Sequence, residues 1–342
     1  MTAAQRLDTL WRRGCNFLGS PTAILGGAMT WLSERNLVAA ISNAGGFGVL
    51  ASGAMEPAIL DAEIVATQRL TSRPFGVNLI TMHPRLDALI DVCLARRVGH
   101  VVLAGGLPTT IAMRKVKQGG AKLVCFAPTL GVARKLVRDG ADALVIEGME
   151  AGGHIGPVST SVLAQEILPE LGGSLPIFVA GGIGRGEMIV TYLEMGASGV
   201  QLGTRFVCAR ESVAHENFKK AFLRASARDA VPSVQIDPRF PVIPVRALAN
   251  AATRTFMNKQ REVIARFDNG EIDQKSVQLE IEHFWSGALR RAVIEGDVEG
   301  GSLMAGQSVG MVTSEQTATE ILGELVEQAR RALAARLEEV DA

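Results

Sequence analysis

Residues 176–206 read PIFVAGGIGRGEMIVTYLEMGASGVQLGTRF, and this stretch decides the fold. An apolar run at 176–180 leaves through Gly181-Gly182 into a helical segment at 187–194. Gly196 stops that segment, and a second apolar run follows at 199–202. Two apolar runs joined by a helix form the crossover that parallel strands require. The same unit recurs toward the N-terminus, with runs at 23–27, 47–51, 75–79, 100–104, 122–126 and 143–147. Successive starts lie 21 to 33 residues apart, about one βα unit each. The runs are apolar almost throughout, as expected where helices cover a parallel sheet. A doubly wound sheet shares this alternation, but eight evenly spaced units favour an α/β chain folded as a (β/α)8 barrel.

The intervening segments carry helix signals. Ser33 is placed to cap a helix with apolar positions Leu37, Ala40, Ile41 and Ala44, and Gly45 stops it. Pro57 suits a first helical position, and Thr129 can cap a helix that ends at Gly140. Past Arg228 the rhythm breaks. Residues 231–245 hold four prolines and read as irregular chain, with helices expected at 247–267 and 274–294. After the Gly-rich stretch 300–310, Thr313 and Gln316 have capping-box spacing at the start of a last helix. The expected organisation is a barrel at 20–228, a helical cap at 229–300, and a return segment at 301–342 whose helix packs on the barrel.

Composition narrows the classes of function. The 342 residues carry 35 Lys+Arg against 35 Asp+Glu, a balance that argues against a nucleic-acid partner. The four cysteines, Cys15, Cys93, Cys125 and Cys208, show no CxxC spacing. They read as reduced thiols in a cytoplasmic protein, with no metal site. The N-terminus lacks the apolar core of a secretory signal, and no apolar run is long enough for a membrane span.

Barrel chemistry gathers at the C-terminal ends of the strands. Those ends carry GGAM at 26–29, Asn78, the loop EGMEAGGHIG at 147–156, Gly181-Gly182 and Gly203-Thr204. The glycine loops after strands seven and eight occupy the usual phosphate-binding position of a barrel. GGIGRG lacks the spacing and location of a Rossmann dinucleotide loop. Of five histidines, His154 is the catalytic candidate, because it lies in a glycine-rich loop at a strand end. His100 opens a strand and reads as structural; His83 is a rim candidate, and His215 and His283 read as helix-surface or cap residues. Glu147 and Glu150 raise a glycoside-hydrolase reading, which their spacing on one turn opposes. A serine hydrolase lacks its GxSxG elbow.

These residues resemble the nitronate monooxygenase and 2-nitropropane dioxygenase family of FMN-dependent (β/α)8 proteins, which includes flavin-dependent enoyl-acyl-carrier-protein reductases. The matching pieces are ILGGAMTW at 24–31, SNAGGFGVL at 42–50, RPFGVNL at 73–79, EGMEAGGHIG, AGGI at 180–183, LGTRF at 202–206, PVRALAN at 244–250 and SLMAGQSVG at 302–310. The resemblance implies FMN as cofactor. Gly27 and Met29 would pass the isoalloxazine edge, Asn78 would bond the flavin ring, and Glu147 and Gly153 would approach it. Gly181, Gly182, Gly203 and Thr204 would hold the phosphate. Met304, Ala305 and Gln307 would return from the tail toward the flavin. His154 would face the substrate.

The first activity this implies is oxidation of alkyl nitronates by O2 to a carbonyl compound and nitrite. EGMEAGGHIG and SLMAGQ are also reductase-like, so reduction of an enoyl thioester or a quinone with NAD(P)H is the alternative. A non-catalytic flavin-binding barrel is the rival of another class. The implied partners are small molecules (nitronate, enoyl thioester or quinone), and a homodimer is compatible with the resemblance. The chain departs from the family pattern at Ala28, at Gly184-Arg185-Gly186 and across 233–243. Arg185 puts a base beside the phosphate loop, where it either pairs with phosphate or faces solvent.

Overall fold

The computed structural model describes residues 1–240 and 243–341, without the side chains of residues 275, 278, 279, 282, 283, 285, 286 and 338–341. The side chain of His283 therefore lies outside the described residues. Eleven strands occur among them: β1 Ile24–Gly26, β2 Phe47–Ala51, β3 Gly76–Ile80, β4 His100–Ala104, β5 Lys122–Phe126, β6 Ala143–Glu147, β7 Gly153–His154, β8 Ile177–Ala180, β9 Gly199–Leu202, β10 Ala230–Pro232 and β11 Val245–Leu248. Strands β1-β2-β3-β4-β5-β6-β8-β9 close a parallel barrel in that order, with β9 pairing β1 from Ile24↔Val200 to Gly26↔Leu202. The fold is a TIM barrel, as the spacing of the apolar runs implies.

Each barrel strand is buried on both faces, so the alternation of an amphipathic strand never develops. Pro57 opens the helix Pro57–Leu70, and the Thr129 hydroxyl accepts the Val132 N–H at 3.3 Å. Two cap assignments are corrected. Glu34, not Ser33, caps the helix Arg35–Asn43, accepting from Asn36 N–H and Leu37 N–H. The Ser33 hydroxyl is taken by the GGAM turn, where it donates to Gly27 O and accepts from Met29 N–H, both at 2.9 Å. The last helix, Ala318–Asp341, starts a turn later than Thr313 implies, with Thr317 and Glu320 exchanging hydrogen bonds at its head. Gln316 cannot serve that start because its carbonyl holds Arg210 N–H and its side chain holds Arg205.

The proline-rich segment also differs from its reading. Its two ends pair as β10 and β11, and β11 pairs in turn with β7, a three-stranded antiparallel sheet above the barrel mouth. The first helix after it is Ala251–Asp268, because residues 245–248 are strand. With Gln274–Glu295 it encloses a small core of Phe240, Phe256, Val263, Val277 and Ile281. Ile321, Leu322, Leu325, Ala329 and Leu333 of the last helix join the barrel core itself. Among the described residues no helix is long and apolar enough to cross a membrane.

At the opposite mouth, the N-terminal helix Ala3–Leu18 brings Phe17 against His100 at the start of β4. His100 donates from Nε2 to Phe17 O at 2.8 Å, leaving buried Nδ1, the nitrogen a proton would take, without a partner. Burial pushes its imidazole down to about 4 from an ordinary 6.5. Below about pH 6.5 the unfolded chain binds a proton that the folded chain resists, so stability falls as pH drops toward 4. The loss is about 3 kcal/mol in full. His100→Gln keeps a donor without the titration and should flatten this acid limb in urea unfolding. An unchanged slope would reject the assignment.

Candidate active site

The C-terminal ends of the barrel strands open into a cavity of about 880 Å3. Gly27, Met29, Asn78, Glu147, Gly153, His154, Gly181, Gly182, Gly203, Thr204 and Met304 all line it. Ala305 and Gln307 do not. Ala305 is buried among Val207, Leu303 and Val309, and the Gln307 N–H donates to Glu150 O at 2.9 Å. Gly306 and Ser308 face the cavity in their place.

The glycine loops after β8 and β9 form one end. Gly181 and Gly182 hold φ of +101° and +70°, which turns their amides without a side chain in the way. Among the described residues, no turn, loop or side-chain acceptor takes the N–H of Gly182, Gly203 or Thr204. Converging amides of this kind are a cradle for an anion's oxygens. The Thr204 hydroxyl accepts Gly306 N–H at 3.0 Å and so seats the return segment beside the cradle. Arg185 takes no part: its guanidinium grips Glu187 at 2.6 Å on an exposed surface. Of the two roles open to it, the structure shows the solvent-facing one.

The middle of the cavity carries amides and a carboxyl. Asn78 is buried, and its Nδ2 reaches Val102 O only at 3.4 Å. Gln201, also buried, stands beside Gly27 and was missed by motif reading; its signal was a polar residue in an apolar strand. Glu147 ends β6 at the cavity floor, where desolvation pushes its carboxyl up to about 8. At neutral pH it is mainly protonated and can donate a hydrogen bond. Trp31 holds φ +69° on the cavity rim, a conformation costing an aromatic residue about 1–3 kcal/mol. Its ring lies under the Arg290 guanidinium, 5.8 Å away.

His154 is held by backbone pairing rather than by an open loop. It sits opposite Val245 in the small sheet, and Ile155 N–H donates to Pro244 O at 2.9 Å. Buried Arg246, next along β11, donates to Met149 O and to Ala230 O. The side chain of His154 stands exposed in the cavity. Glu150 faces away from the cavity, accepting the N–H and hydroxyl of Thr160 at 2.9 and 2.7 Å. The two carboxylates therefore do not face a common substrate, and a glycoside-hydrolase pair is absent at this loop. Two of the other histidines are local caps: His83 Nδ1 accepts Arg85 N–H, and His215 Nδ1 accepts Asn217 N–H.

Fold and site together define a TIM-barrel enzyme with an amide cradle and a deep cavity at its catalytic face. A sequence profile described as nitronate monooxygenase matches residues 16–328, and the chain belongs to this family of flavin-dependent oxidoreductases. It is similar to (3aS,4S,5R,7aS)-5-hydroxy-7a-methyl-1-oxo-octahydro-1H-indene-4-carboxyl-CoA dehydrogenase of Rhodococcus jostii, at 28% identity covering 94% of this chain and 97% of the relative. Among solved structures, FabK from Thermotoga maritima superposes with a TM-score of 0.85 at 34% identity, covering 96% of this chain and 98% of that one. Nitroalkane oxidase from Streptomyces ansochromogenes superposes with a TM-score of 0.77 at 26% identity, covering 94% and 99%.

Proposed function

We propose that the chain is an FMN-dependent oxidoreductase acting on a neutral acyl thioester, at the carbon–carbon bond next to the carbonyl. The cavity lining carries this reading: among the described residues no Lys or Arg side chain faces it. Its outer part is formed by Met82, Leu107, Ile243 and Ile281, which suit an apolar acyl group. An anionic nitronate would enter without a fixed positive charge to meet it. The CoA ester named for the Rhodococcus relative supports the same substrate class.

FMN fits the residues present. Its phosphate matches the amides of Gly182, Gly203 and Thr204, and its ring edge matches Asn78 and protonated Glu147. When bound, it supplies the electron-pair carrier that no side chain here offers. Asn78 and Glu147 orient it, and the apolar walls exclude water from the reacting bond. His154 donates to the thioester carbonyl oxygen as charge develops there. In the reducing direction NAD(P)H is the source of the hydride, which reaches the β carbon while a solvent proton completes the α carbon.

Nitronate oxidation is the second reading, favoured by the similarity to nitroalkane oxidase and by a histidine able to bond a nitro oxygen. Anaerobic flavin reduction separates the two. The thioester reading expects NADH or NADPH to bleach the flavin and a 2-enoyl-CoA to restore its colour. Bleaching by an alkyl nitronate alone, with no response to either nicotinamide, would overturn it in favour of the second.

A further inference from the structure

Two glycine loops must hold a fixed separation if they are to grip one phosphate, and they are joined behind the cavity by side chains of the last helix. The loop after β8 enters the helix Gly186–Glu194, whose first N–H, that of Gly186, donates to Gln328 Oε1 at 2.8 Å. Contact here is close: a Cβ on Gly186 would stand 2.2 Å from Leu325 O and 2.4 Å from Ala329 N. Gln328 is buried, and its Nε2 donates to Glu324 Oε1 at 2.8 Å, one helical turn away. The other Glu324 oxygen accepts from Arg205 Nη2 at 2.9 Å and from Gln316 Nε2 at 2.8 Å. Arg205 follows Thr204 directly, and its side chain is only 2% exposed. An unbroken series of hydrogen bonds therefore runs from Gly186 through Gln328 and Glu324 to Arg205.

None of these four side chains or amides lines the cavity. Packing alone does not call for them either, since the same helix already buries Ile321, Leu322, Leu325, Ala329 and Leu333 against the barrel. A charged pair with one buried member, Arg205, and one partly exposed, Glu324, gives little net stability over apolar packing. What the cluster does is geometric: it ties the exit of β9 to the exit of β8 through one rigid element.

We infer that Gln328 and Glu324 are positioning residues for the cofactor phosphate, setting the distance between the Gly182 amide and those of Gly203 and Thr204. This rests on the FMN reading above. The consequence is specific to the phosphate: riboflavin, which lacks it, should not sense the tie.

The test titrates the full chain with FMN and with riboflavin and follows flavin fluorescence. Wild type should favour FMN. Gln328→Met and Glu324→Gln should each weaken FMN binding about tenfold, the scale of one lost hydrogen bond to a charged or buried group, and leave riboflavin affinity unchanged. Arg336→Ala removes an exposed ion pair to Glu194 from the same helix and should keep the wild-type preference. Unaltered FMN preference in both relay variants would overturn the inference, as would equal weakening toward both flavins or an equal loss in Arg336→Ala. A wild type that binds riboflavin as tightly as FMN would overturn the phosphate reading itself, and the inference with it.

Discussion

His154→Ala should purify folded and yellow, and turn over substrate about 100-fold more slowly or worse. The proposed cofactor contacts come from the Gly182, Gly203 and Thr204 amides and from Asn78 and Glu147, none of which belongs to the strand pairing that seats His154. The pairing of His154 with Val245 and the Ile155 N–H to Pro244 O bond are backbone contacts and survive loss of the side chain. His154→Asn retains a donor without a titrating proton. Recovery of most activity by Asn would assign the histidine to hydrogen bonding, and continued loss would assign it to proton transfer. An Ala variant with wild-type turnover on thioesters, quinones and nitronates alike would remove His154 from the catalytic set.

Gly182→Asp should empty the flavin site. The backbone there holds φ +70°, and a Cβ would point to Glu150, whose Cβ stands 3.0 Å away. Asp tolerates this left-handed conformation better than most residues, so the dominant effect is electrostatic. A carboxylate on this loop adds negative charge beside both Glu150 and the proposed phosphate. At an intermediate dielectric one such like-charge contact costs about 4 kcal/mol, roughly a thousandfold in affinity. The measurement is flavin content per chain after purification, with a thermal melt to confirm folding. A folded variant carrying its full complement of FMN would place the phosphate elsewhere. Gly182→Ala, which adds strain without charge, should lose much less.

These expectations draw unequally on what could be read along the chain. The barrel was legible because each βα unit is written in contiguous residues: an apolar run, a small exit residue, a helix signal and a stop. The glycine loops after β8 and β9 were legible for the same reason, since strand ends face the catalytic mouth in any such barrel. Other features depend on who competes for a hydrogen bond. Ser33 has the composition of a cap, yet its hydroxyl serves the GGAM turn and leaves capping to Glu34. Glu147 and Glu150 look equivalent, yet one faces the cavity and the other binds Thr160. Ala305 and Gln307 lie in the matching motif, but the backbone there turns Gly306 and Ser308 inward.

The sequence by itself determined the alternation of strand and helix, the family, and the residues that gather at the barrel mouth. Periodicity, turn chemistry and capping are local, and neighbours in the chain express them wherever the chain goes. Only the tertiary structure decided the rest. His154 is held by a strand some ninety residues away (Val245), and Gly186 by a glutamine 142 residues on. Residues so distant meet only after the barrel closes and the last helix docks, because a hydrogen bond is chosen by distance and direction in space, with no trace in the spacing of either partner's neighbours.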